Sequence, residues 1–129
     1  FSGLKTNFMR VIQNETKNNP LFLKENMEDL CASIQSTIIQ ILIYKLDLCM
    51  QQYNIRHIAI SGGVSANEKF RQAIKKLEKT HNIQAVIPKK EYSTDNGAMI
   101  AIAGYYKYKN NLFSDISVNV NPRQKIPYI

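Results

Sequence analysis

Two short stretches hold the residues of this sequence whose types and spacing could do chemistry. The first, ISGGVSANEKF at 60–70, ends an apolar run in Gly62 and Gly63 and then enters a charged, helix-like run through Asn67. Glycine has no Cβ, so its backbone can take positive φ and lie directly against a ligand. An asparagine amide both donates and accepts, as a reader of a nucleoside must. The second stretch, YSTDNGAM at 92–99, sets Asp95 between Thr94 and Asn96 at the mouth of another helical run. A carboxylate in that place is either a helix N-cap, where aspartate is favoured, or an oxygen ligand aimed at a metal. One carboxylate makes no metal site by itself. His57 falls inside a strand-like run and His81 beyond a helix end, so neither is spaced as its partner.

The elements that must position these residues follow from hydrophobic spacing. Leu4, Phe8, Val11 and Ile12 predict a helix over residues 3–16, closed by the break NNP at 18–20. A long helix follows over 27–52, with Leu30, Ile34, Ile38, Ile41, Leu42 and Cys49 as its apolar stripe and Asn26 with Asp29 as its start signal. IRHIAISG at 55–62 switches to strand character and stops at the glycines. Ser65 to Glu68 fits a capping box, and Phe70, Ile74 and Leu77 give the next helix one buried face. QAVIP at 84–88 reads as a second strand, parallel to the first through a right-handed crossover. A last helix spans 96–109; its Gly97, Ala98, Ala101, Ala103 and Gly104 suit close packing rather than chemistry.

The fold class is therefore α/β, one unit without repeats or linkers. Residues 1–53 are mainly helical, 54–110 form a strand–helix–strand–helix unit, and 111–129, with ISVNVNP, an extended tail. Two parallel strands make a poor sheet alone; the missing strands are expected upstream of Phe1 or from a partner. The glycines fall where a strand's carboxyl end meets a helix, the place where open α/β sheets bind ligands. There the free N–H groups of the helix start offer themselves to an anion. No Lys-Ser or Lys-Thr follows, so this is not a Walker loop, and it is not GxGxxG either. A tight turn with no ligand is the competing reading.

Composition bounds the remaining classes. At 129 residues the chain is long enough to bury a core without disulfides or metals as staples. No apolar run reaches the roughly 18 residues that span a bilayer, and the start at Phe1 has neither signal-peptide region, so the chain reads as a segment excised from a longer protein. Cys31 and Cys49 lie about five turns and about 27 Å apart on one helix, too far for a disulfide. They read as small buried hydrophobes in a reducing compartment. The net charge of +7 favours an anionic partner, nucleic acid first. Its carriers are scattered: Lys69, Arg71, Lys75, Lys76 and Lys79, Lys89 and Lys90, Lys107 and Lys109, Arg123 and Lys125. Solvated helix faces are the alternative reading.

FSGLKT at 1–6, ASIQ at 32–35, SGGVSAN at 61–67 and STDNGAMIA at 93–101 occur in this order across nearly the whole chain. Together they closely resemble the carboxyl-terminal part of the TsaD family, the tRNA threonylcarbamoyladenosine transferases, which have also carried the label O-sialoglycoprotein endopeptidase. The resemblance implies part of an actin/Hsp70/sugar-kinase (ASKHA) lobe, with a nucleotide held between two lobes. It implies transfer of threonylcarbamoyl from threonylcarbamoyl-AMP to N6 of adenosine 37 in tRNAs that read codons starting with A. Carried over by motif, Gly62 and Gly63 line the nucleoside, Asn67 contacts the adenylate, and Asp95 is a ligand of a divalent metal, iron or zinc. The family's two-histidine metal motif and first phosphate loop have no counterpart in residues 1–129, and no general base is evident. The segment alone is therefore expected to lack transferase activity and to hold metal weakly or not at all. Implied partners are tRNA, with a TsaB-like paralogue and a TsaE-like ATPase in bacteria, in the cytoplasm; homodimerisation of the segment stays open. Two rival classes remain: a lobe of another actin-like ATPase or sugar kinase, and a non-catalytic nucleotide-binding paralogue. The peptidase label finds no HExxH, Ser/His/Asp or Cys/His arrangement to rest on.

Overall fold

The computed structural model describes residues 3–121 and 123. The beginning of FSGLKT, Lys125 and the end of the tail lie outside the described residues. Helix α1, Leu4–Asn18, turns Leu4, Phe8 and Ile12 half inward, while Val11 is exposed at 46%. Where NNP predicts only a break, the chain adds a one-turn helix α2, Phe22–Glu25, after an Asx turn in which Leu21 N–H donates to Asn19 Oδ1 at 2.9 Å.

Helix α3, Met27–Tyr53, departs from the expected start and stripe. The Asn26 side chain does not cap it: its Nδ2 donates backward to Phe22 O at 2.9 Å, the same carbonyl that Asn26 N–H reaches at 3.0 Å to close α2. The face that meets the core is Ile39, Leu42, Ile43, Leu46 and Met50, spaced by three and four residues. This face leaves Cys49 to one side, and both Cys31 and Cys49 are exposed free thiols rather than buried hydrophobes.

Helices α3 and α4 (Glu68–His81) both stop at an asparagine in the left-handed region, Asn54 with φ 50° and Asn82 with φ 49°. Asparagine tolerates that conformation, and its N–H closes the last turn onto Met50 O and Glu78 O. Each helix then delivers a short strand, β1 (His57–Ala59) and β2 (Gln84–Val86), paired in parallel with Ile58 opposite Ala85. Glu78 Oε1 accepts Ala85 N–H at 2.8 Å and so pins α4 to β2. The core lies between α3, α4 and this ribbon: Met50, Ile58, Phe70, Ile74, Leu77 and Ile83, with Ile74 at 0% exposure. The expected strand–helix–strand unit is thus present in a mostly helical α/β chain, with strands shorter than the runs that predict them.

Helix α5, Gly97–Lys109, has no buried residue and leaves Met99, Ile100, Ile102, Tyr105, Tyr106 and Tyr108 exposed. The following tail is not wholly extended: Asp115 accepts Ser117 N–H on Oδ1 and Val118 N–H on its carbonyl, making a turn. No helix among the described residues is long and apolar enough to cross a membrane.

Candidate functional site

Just past β1, Ile60 N–H donates to Val86 O at 3.1 Å, and the chain turns at Gly62 with φ 76° and ψ 176°. That backbone conformation is essentially reserved for glycine. Gly63 opens a 3₁₀ turn, Gly63–Ala66, without positive φ, and a Cβ built on it would meet nothing within 4 Å. The two glycines therefore differ: the backbone demands the first, and no atom of the described residues demands the second.

The expected capping box is not formed. Ser65 is buried at 1% exposure, and its Oγ lies 2.7 Å from Gly62 O and 2.9 Å from Ser93 Oγ. The N-cap of α4 is instead Asn67, in extended conformation, whose Oδ1 accepts Phe70 N–H at 3.0 Å. Its Nδ2 donates to Gln35 Oε1 on α3 at 2.8 Å, so Asn67 is half-buried rather than solvent-facing. A groove of about 430 Å³ opens beside it between α3 and α4, lined by Ile34, Gln35, Ile38, Val64, Asn67 and Phe70 among others.

The second turn reaches the first through Ser93, also 1% exposed, at the end of a 3₁₀ turn, Lys90–Tyr92. Two residues on, Asp95 is exposed, and the N-cap of α5 is Asn96, whose Oδ1 accepts Met99 N–H at 3.0 Å. The capping explanation of Asp95 thus falls to its neighbour. A separate groove of about 330 Å³ lies there, lined by Tyr92, Asn96, Ala98, Met99 and Ile102. Arg71 braces both turns from α4: one guanidinium nitrogen donates to Ser65 O at 2.8 Å, the other to Pro88 O at 2.6 Å. Outside them Lys90 Nζ meets Glu68 Oε2 at 2.8 Å. The hydrogen bond and charge of Lys90 hold the Glu68 carboxyl below its usual pKa.

Among the described residues no three His, Cys, Asp or Glu side chains gather to hold a metal, so the group implied by the resemblance does not fit these residues alone. Asp95 offers one oxygen ligand. His57 is exposed in β1, and His81, the last residue of α4, places Nε2 3.3 Å from Asp47 Oδ1. Asp47 Oδ1 is buried and has no hydrogen-bond partner among the described residues.

Local pattern singles out neither Gln35 nor Ser93, and it assigns Ser65 to a helix cap and Arg71 to scattered charge. Gln35 and Ser93 do lie inside the stretches ASIQ and STDNGAMIA, so the ordered motifs were the available signal. Arg71, counted among scattered charges, had none.

A family model described as TsaD, tRNA N6-adenosine threonylcarbamoyltransferase, matches residues 1–102. A protein named tRNA N6-adenosine threonylcarbamoyltransferase from Christiangramia forsetii is 50% identical over 97% of this chain and 37% of its own length. Proteins of the same name from Riemerella anatipestifer and Thermosipho africanus are 45% and 39% identical, each over 98% of this chain and 37% of their own length. The chain thus spans just over a third of the curated relatives it matches.

Proposed function

The chain belongs to the TsaD family, and from that premise we propose that it supplies the adenylate-side portion of a tRNA N6-adenosine threonylcarbamoyltransferase. In this reading it completes an actin/Hsp70/sugar-kinase lobe, and α5 is covered by the remainder of that protein. The exposed apolar side chains of α5 support this cover, since a patch of this kind marks a contact surface.

Gly62 and Gly63 line the nucleoside, with the open space at Gly63 as the approach. Asn67 donates to the adenylate. One observation carries the reading: the turn leaving β1 leads to an asparagine amide fixed at a groove wall, and Ser65 of that turn meets Ser93, two residues before Asp95. In the reaction the carbamoyl carbon bonds to N6 of adenosine, the bond to the AMP phosphate oxygen breaks, and N6 gives up a proton. The residues of this chain bind and orient the adenylate for that exchange, and its proton acceptor lies outside them. Asp95 contributes one oxygen ligand to an iron or zinc ion whose other ligands come from elsewhere in the protein.

The tRNA backbone is drawn to the exposed Lys69, Lys75, Lys76 and Lys79 of α4. A TsaB-like paralogue and a TsaE-like ATPase dock away from these residues, and the working compartment is the cytoplasm. The test is Asn67→Ala and Asp95→Ala in the full-length protein, with threonylcarbamoyladenosine in tRNA read by mass spectrometry. Loss of the product in both supports the reading. Undiminished product in both assigns this chain to a non-catalytic paralogue.

A further inference from the structure

The Asn67 amide is held at both ends, and one holder comes from a helix to which no role has yet been given. Oδ1 faces Phe70 N–H at 3.0 Å, a donor fixed by the backbone of α4, while Nδ2 faces Gln35 Oε1 at 2.8 Å. Rotating the amide by half a turn would set N–H against N–H and oxygen against oxygen, so its orientation is locked. One hydrogen on Asn67 Nδ2 and both on Gln35 Nε2 then remain, without a partner among the described residues. Both side chains line the groove of about 430 Å³, whose other walls are largely apolar: Ile34, Ile38, Val64 and Phe70. The groove thus sets N–H donors at the edge of an apolar bed. That chemistry suits a flat ring or sugar carrying acceptor atoms, and it rejects a group that can only donate.

We propose that Gln35 is a positioning residue. By accepting one Nδ2 hydrogen, it holds the Asn67 amide, whose Oδ1 is already committed to Phe70 N–H, so that the other Nδ2 hydrogen meets an acceptor atom of the adenylate. The inference rests on the reading of Asn67 as the adenylate contact. It adds that α3, through this one side chain, fixes the direction in which the amide presents its remaining N–H, the polarity being set by Phe70 N–H. A mere tie between α3 and α4 would use the same hydrogen bond, so the test must separate positioning from support.

The probe is AMP, titrated calorimetrically into the full-length protein carrying Asn67→Ala, Gln35→Met, both together, or Gln35→Glu. Gln35→Met keeps the length of the side chain and removes the acceptor; it is expected to weaken AMP binding about 3- to 10-fold, the loss of one neutral hydrogen bond. Asn67→Ala weakens it at least as much, and the double variant binds no worse than Asn67→Ala alone, since Gln35 acts through Asn67. Gln35→Glu, which keeps the acceptor oxygen, restores most of the affinity. A Gln35→Met protein that binds AMP as the parent does, beside a weakened Asn67→Ala, overturns the inference and leaves the reading of Asn67 standing. Additive losses in the double variant overturn it too, because they make Gln35 an independent support. Unchanged binding in Asn67→Ala removes the reading of Asn67 and this proposal with it. If Gln35→Met does not fold, Gln35→Leu makes the same comparison.

Discussion

The hydroxyls of Ser65 and Ser93 lie 2.9 Å apart, each residue 1% exposed, and join the turn after β1 to the turn before α5. Each hydroxyl has a single proton. Ser65 Oγ also lies 2.7 Å from Gly62 O, which can only accept, so Ser65 donates there and Ser93 donates to Ser65. The chain of two bonds ends on the carbonyl of the glycine that makes the turn. Its two members are consequently unequal. Ser93→Ala removes one bond and is expected to cost about 1 kcal/mol. Ser65→Ala removes both and strands the Ser93 hydroxyl in a buried place, so its cost rises to about 2–3 kcal/mol. Denaturant midpoints of the two variants check the order, and equal losses would contradict the assigned direction of donation.

The two glycines make opposite predictions. Gly62→Ala meets no atom within 4 Å but must adopt φ near 76°, so backbone strain of about 1–3 kcal/mol is expected before any ligand arrives. Gly63→Ala has open space and no positive φ; it should fold with an unchanged unfolding midpoint and, if the proposed nucleoside approach holds, still weaken AMP binding through its added methyl. Calorimetric titration beside thermal unfolding separates the two. A Gly63→Ala protein with full affinity would place the nucleoside elsewhere.

Arg71 offers a third test. Its forked guanidinium spans Ser65 O and Pro88 O, two carbonyls from different loops, and lysine cannot reproduce that geometry. Arg71→Lys keeps the charge, and a loss of about 1–2 kcal/mol of stability is expected from the missing bond to a charged donor. If the variant unfolds at the parent's midpoint, charge rather than the fork holds the loops.

Sequence periodicity located what depends on repeated apolar residues. Phe70, Ile74 and Leu77 are buried as their spacing predicts, and β1 and β2 pair in parallel across α4. It erred where two local hydrogen-bonding options compete. Ser65 and Asn67 can both cap a helix. The decision went to Asn67 because Ser65 finds Ser93 and Gly62, partners of which Ser93 lies beyond any local window. The second turn holds a comparable case: Asp95 and Asn96 are both good capping residues, and Asn96 takes the role while Asp95 stays exposed. Cys49 reads as buried because its apolar stripe on α3 lies on the neighbouring face; the core took Ile39, Leu42, Ile43, Leu46 and Met50, which share only Leu42 with that stripe. Gln35, 32 positions from Asn67, is out of reach of any local pattern.

The last prediction concerns pH. Glu68 opens α4 and lies 2.8 Å from Lys90, on the segment between β2 and Ser93. The hydrogen bond and charge of Lys90, helped by Arg71, lower the Glu68 pKa in the folded chain. A carboxyl lowered by folding binds its proton more weakly when folded, so its contribution is present above the unfolded pKa and disappears as pH falls through the folded one. The pair is exposed, and solvent screening keeps its effect on global stability small. The measurable consequence is local. Titration of the Glu68 carboxyl by NMR should show a midpoint below that of an exposed glutamate, and Lys90→Met should return it upward. High salt should shift it in the same direction, since screening weakens the attraction of Lys90. A Glu68 midpoint unaffected by Lys90→Met would mean that the two side chains do not meet in solution, and that Ser93 and Arg71 alone hold the two turns together.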